Sequence, residues 1–92
     1  MTADAEAQAM ARALSSPFRL RTLRLCAHTS RTNKELAALL GVNPGTMLHH
    51  VRTLVQTGFL VAAPERAGAQ GAREVPYRAT GGSPTARTAD AA

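Results

Sequence analysis

Thr46, His49 and Arg52 recur at every third position of the stretch NPGTMLHHVRTLVQ. On a helix turning about 100° per residue they share a face with Gly45, Thr53 and Gln56. That face offers hydrogen-bond donors, acceptors and a cation, with Leu48 at its margin. Such groups match base edges in the DNA major groove, where an arginine fork suits guanine and shorter polar side chains suit several bases. Thr46 and His49 are placed for bases, and Arg52, one turn on, for a base or a phosphate. Gly45 permits close approach to the nucleic-acid backbone. Met47, Val51 and Leu54 fall on the opposite side, flanked by His50 and Val55, and form a core face. A polar face alone describes any solvated helix, so its meaning depends on its setting.

Three further groups fit the same chemistry. Asn43 caps this helix with Pro44 at its first position, and its exposed N–H groups and positive dipole end favour a phosphate. The same holds for Thr32, Asn33 and Lys34, at the start of the preceding helix. Arg66 and Arg73 flank a glycine-rich loop, PERAGAQGAR, and supply cations for phosphates or the minor groove.

Other chemistries find less support. His49 and His50 are adjacent, so they diverge on a helix and cannot share a metal ion; His50 is expected at the core edge and His49 outward. Cys26 lies on an apolar face and reads as a core cysteine. A single cysteine rules out an internal disulfide and cannot alone build a zinc site. No carboxylate pair, nucleophile–base set or phosphate-cradling glycine motif is present, so neither catalytic nor metal residues, and no cofactor, are expected.

The elements that position these residues are strongly punctuated. Thr32 and Glu35 form a capping box, Leu36, Leu39 and Leu40 line one side of the helix they open, and Gly41 closes it. Asn43 starts the next helix two residues later, and helices joined so tightly form a helix-turn-helix. Upstream, residues 2–14 favour a helix with a shallow stripe of Ala7, Met10, Ala11 and Leu14. Ser16 and Pro17 restart the chain into a central helix bearing Phe18, Leu20, Leu23, Leu25, Cys26 and Ala27, with Arg21 and Arg24 on its polar side. Arg19 falls within the apolar arc and calls for a carboxylate, for which Glu35 is the candidate. A short strand in the connector 28–31 has a partner further along the chain. Downstream, Phe59, Val61 and Ala63 alternate, as do Val75, Tyr77 and Ala79 with Arg78 outward, so two strands bracket the basic loop as a β-hairpin. Pro76 places the second strand at an edge.

The expected architecture is therefore mostly α with a small β-hairpin. Its helices span about 4–14, 17–28, 33–40 and 44–57, and its wing strands about 59–63 and 74–80. Residues 1–80 form one winged helix-turn-helix domain and 81–92 a disordered tail.

Ninety-two residues with 45% hydrophobic and 18% charged content suit one small globular domain. A net charge of +5, nearly all of it arginine, predicts attraction to polyanions, although a GC-rich genome also favours Arg and Ala. Scarce aromatics and no Trp argue against stacking on single-stranded bases. No apolar run is long enough to span a membrane and no signal segment opens the chain, which implies a cytoplasmic protein.

The stretches ALSSPFRLRTLRLC and TNKELAALLGVNPGTMLHHVRTLVQTGFL, with a wing ending GAREVPYRATG, resemble the ArsR-type winged helix-turn-helix repressors of bacteria, closest to an actinobacterial branch. The resemblance covers residues 13–82. It implies that Asn43 to Arg52 form the recognition helix and Arg66 to Arg73 the wing. It also implies a homodimer that represses transcription from palindromic operators until a signal intervenes. Metal-sensing members carry cysteines on the helix that here reads KELAALLG, or His and Asp on a C-terminal helix; this sequence has neither. The family's last dimerising helix is also missing. The chain is therefore a fragment of a longer regulator, a dimer through its N-terminal helix, or a monomer. The expected partner is double-stranded DNA, the effector being unspecified. The alternative from another class is a winged-helix module that docks a protein, which requires an apolar patch where Lys34, Arg52, Arg66 and Arg73 lie.

Overall fold

A computed structural model describes residues 2–68 and 71–81. Most of the expected tail, from residue 82 on, lies outside these described residues, as does the tip of the basic loop at 69–70.

The first helix, α1 (Thr2–Leu14), ends where Ser15 turns its N–H and hydroxyl back onto the Arg12 carbonyl, at 3.2 and 2.7 Å. Its inward side is not the expected stripe. Ala13 is buried and Met10 packs on the core, whereas Ala7 and Ala11 are exposed. The second helix, α2 (Pro17–Leu25), is capped by Ser16, whose hydroxyl accepts the Arg19 N–H, and starts with proline as anticipated. It stops three residues short of the expected end. The Cys26 carbonyl accepts from Ala79 N–H at 3.0 Å, and Arg31 Nε donates to the Leu25 carbonyl at 2.6 Å. The last turn is thus held by the sheet and a guanidinium, and the chain leaves the helix there. Leu20 is partly exposed, while Thr22 is fully buried and satisfies its hydroxyl on the Phe18 carbonyl at 3.1 Å.

A two-residue strand, β1 (Arg31–Thr32), runs into α3 (Asn33–Leu40). Both halves of the capping box are present: Thr32 Oγ1 accepts Glu35 N–H at 3.1 Å, and Glu35 Oε1 accepts Thr32 N–H at 2.9 Å. Gly41 closes α3 in the left-handed conformation, φ 68°, where a Cβ would be strained. The next helix, α4 (Pro44–Gln56), buries Met47, Val51 and Leu54 as its periodicity requires. At its end Phe59 N–H reaches the Leu54 carbonyl and Gly58 N–H the Val55 carbonyl, the paired bonds of a Schellman turn.

That turn shifts the expected strand pattern by one residue. Phe59 belongs to the helix stop, so β2 (Leu60–Ala62) buries Leu60 and leaves Val61 41% exposed. The basic loop carries a short ladder of its own, β3 (Arg66–Ala67) against β4 (Arg73–Glu74). The last strand, β5 (Pro76–Ala79), pairs with β2 on one side and β1 on the other, giving an antiparallel order β1-β5-β2. Pro76 therefore sits in the central strand, against the expectation of an edge. It is tolerated because it opens the strand, where a missing N–H costs least, while its carbonyl still accepts Ala63 N–H at 2.8 Å. The core joins α3, α4 and β2 through Leu36, Met47, Val51, Leu54, Phe59 and Leu60, with Ala13 and Cys26 closing it from α1 and α2. Burial pushes the Cys26 thiol up to about 11, so it behaves as a packing group.

Candidate nucleic-acid interface

The outward half of α4 is built by its inward half. With three apolar residues locked into the core, Thr46, His49 and Arg52 are all exposed, and so are Asn43, Pro44 and Gly45. Leu48 is half-buried at the margin. Asn43 Oδ1 accepts Gly45 N–H at 2.7 Å, fixing the first turn. A Cβ on Gly45 would lie 3.1 Å from that oxygen and meet nothing else, so glycine here both fits the cap and leaves the helix tip open. Thr53 turns its hydroxyl onto the His49 carbonyl, at 3.1 Å.

The two histidines separate as expected. His49 is exposed, whereas His50 is half-buried with its ring 4.7 Å from that of Phe18. Arg19 does not reach Glu35. Its Nε donates to the Ala13 carbonyl at 2.7 Å and its NH2 group to the Arg12 carbonyl at 2.9 Å, where α1 leaves carbonyls unpaired; its NH1 group lies 3.2 Å from His50 Nδ1. Because guanidinium only donates, Nδ1 must accept, which assigns the proton to Nε2. Burial, the Arg19 charge and the His49 charge hold His50 below the ordinary histidine range.

The start of α3 abuts the start of α4. Asn33 Nδ2 donates to the Pro44 carbonyl at 2.9 Å, joining the two helix tips, while its Oδ1 is buried without a partner among the described residues. Lys34 is exposed beside it. Thr32, included among the expected contacts, is 4% exposed with its hydroxyl committed to the capping box; it supports the surface and does not face out.

The wing differs most from the sequence reading. Arg66 NH2 lies 2.6 Å from Glu35 Oε1, and its Nε 3.9 Å from Glu74. Arg73 contacts Glu65 through Nε and NH2, both at 3.2 Å. Both wing arginines are therefore paired, whereas no ion pair among the described residues involves Lys34 or Arg52. One signal was available: Glu65-Arg66 and Arg73-Glu74 mirror each other across a hairpin, and the register sets Arg66 opposite Glu74. The Thr32 N–H and Arg66 converge on one Glu35 oxygen, and together they hold that carboxyl below its usual range despite partial desolvation, the backbone hydrogen bond contributing most.

Residues 23–61 match the family described as winged helix-turn-helix DNA-binding. Among solved structures, the chain is similar to the homodimeric winged helix-turn-helix DNA-binding domain Mb0332 of Mycobacterium bovis, a possible ArsR-family transcriptional regulator. The two are 26% identical over 87% of this chain and 68% of that one, with a TM-score of 0.70. Residues 23–61 thus match a winged helix-turn-helix DNA-binding segment, on a fold similar to that of a possible ArsR-family regulator. The ArsR-like transcriptional regulator of Rhodococcus sp. RHA1 shares its fold at 24% identity, TM-score 0.72, over 95% of this chain and 73% of that one. NolR of Sinorhizobium fredii does so at 18% identity, TM-score 0.69, over 98% and 82%. No curated protein sequence matches the chain. The chain thus has the winged helix-turn-helix fold of DNA-binding transcriptional regulators. Among its described residues no group of His, Cys, Asp or Glu could hold a metal ion, and no helix is long and apolar enough to cross a membrane.

Proposed function

We propose that this chain is an ArsR-type domain that reads a specific DNA duplex by laying α4 in the major groove, as a cytoplasmic repressor. Thr46 and His49 contact bases, Arg52 a base or phosphate, and Gly45 and Leu48 pack against the groove wall. Lys34 and the helix tips at Asn33, Asn43 and Pro44 hold the backbone, with Arg66 and Arg73 reaching the adjacent backbone or minor groove. The observation that carries this reading is the division of α4 into a buried apolar face and an exposed polar one beginning at a capped, open tip. Among the described residues the exposed large apolar side chains are Leu14, Leu20, Leu39, Val55 and Val61; none lies at the tip of α4, while Val55 lines a shallow groove with Arg52 further along it.

A second copy fits another surface. Leu14, Leu23, Ala27, Phe59 and Ala79 line an apolar groove of about 340 Å³ between α1, α2 and the sheet. A homodimer that uses the N-terminal helix covers this groove, in line with the homodimeric mycobacterial domain. Selection of bound duplexes from genomic DNA, followed by titration at two salt concentrations, tests both ideas. A palindromic consensus bound less tightly at higher salt is expected. Binding indifferent to salt and sequence would sink the reading.

A further inference from the structure

Arg66 lies at the right place for a phosphate but in the wrong company. Its partner Glu35 follows the exposed Lys34, and Asn33 joins that helix tip to Pro44, so the guanidinium stands at the same end of the fold as the tip of α4. Glu35 brings a negative charge to a surface that must meet a polyanion. The capping box does not require that charge, since Gln closes it as well as Glu. The pair is open to solvent, with side chains 41% and 46% exposed, and exposed pairs are weak and readily exchanged.

We propose that Glu35 is a built-in substitute for a DNA phosphate: it holds Arg66 against the start of α3 in the free protein and yields it to the backbone on binding. It is a positioning residue that holds the Arg66 guanidinium at the start of α3 and lowers affinity for any duplex. The inference rests on the DNA-binding reading above. On binding, one ion pair is exchanged for another, and the released Glu35 carboxylate faces phosphates and takes up a cation. The number of ions released falls accordingly.

The test titrates a mixed-sequence duplex into the wild type, Glu35→Gln, Arg66→Gln and the double variant across a salt series. Glu35→Gln is expected to bind several-fold more tightly, with a salt slope steeper by about one. Arg66→Gln should cost more affinity when combined with Glu35→Gln than it does in the wild type. An E35Q protein that binds equally or more weakly overturns the proposal. In the wild type, NMR titration of the Glu35 carboxyl gives an independent reading. Its pKa should rise on saturation with duplex, and an unchanged value also overturns the idea. Salt-independent wild-type binding would instead remove the DNA reading itself, and this proposal with it.

Discussion

Helix α4 and the wing both present arginine to solvent, yet they hold it in opposite ways. Arg52 stands on a rigid helix whose other face is locked by Met47, Val51 and Leu54, and it has no ion pair among the described residues. Arg66 and Arg73 stand on two-residue strands and are paired with Glu35, Glu74 and Glu65. A charge on a packed helix is positioned by its neighbours' burial and can remain free for a ligand. A charge on a thin hairpin is positioned by other charges. The first arrangement suits reading a sequence; the second suits adjustable, sequence-blind contact.

Arg52→Ala should produce the largest change. A lost base contact costs about 1–3 kcal/mol, roughly five- to 150-fold in affinity, concentrated on the preferred duplex. Competition between the selected duplex and random DNA measures it. A uniform loss on both would move Arg52 to the phosphates and blur the distinction between the two regions.

Arg73→Gln should have a smaller effect and the opposite character. Its partnership with Glu65 is exposed, so thermal stability should not change measurably. Affinity should fall alike for all duplexes, with the salt slope shallower by up to about one. If the loss fell only on the selected sequence, the wing would be reading bases, and the contrast with α4 would fail.

The sequence conveyed α4 far better than the wing, for a physical reason. A helix repeats, so every third or fourth residue reports its neighbour, and caps such as Asn43-Pro44 and Thr32-Glu35 mark the ends locally. Those elements ran where the residues said. The sheet depends on partners distant in the chain. Phe59 looked like a strand residue because nothing local reveals that its N–H closes α4, and the error moved the inward residue to Leu60. Pro76 looked like an edge residue because the strand on its far side, β1, is two residues long and lies before the helix-turn-helix. Thr22 is absent from the expected core, yet it is fully buried with its hydroxyl bonded within its own helix. Arg19 was rightly placed inward but given the wrong partner. The carbonyls left open at the end of α1 take its Nε and NH2 groups instead of a carboxylate.

His50 offers the smallest and most local test of how firmly α4 is held. Its flank meets α2 at Phe18 and Arg19, and Arg19 in turn closes the end of α1, so this corner fastens the reading helix to the N-terminal helix. Nδ1 accepts from Arg19 only while the ring is neutral. Burial, the Arg19 charge and the His49 charge lower the folded-state pKa below the ordinary 6.5, so the native state disfavours the protonated ring. The resulting stability is present in full above 6.5 and is lost as pH falls through the lowered folded value. Urea unfolding across that window should show wild-type stability declining as the solution is acidified. In His50→Gln, whose amide oxygen can accept from Arg19 without titrating, the decline should be shallower. His49→Gln separates the second ring: exposed His49 contributes through its charge on His50, so its removal should flatten the profile less than the His50 change does. Parallel profiles for the wild type and His50→Gln would show that the corner does not respond to proton binding at His50.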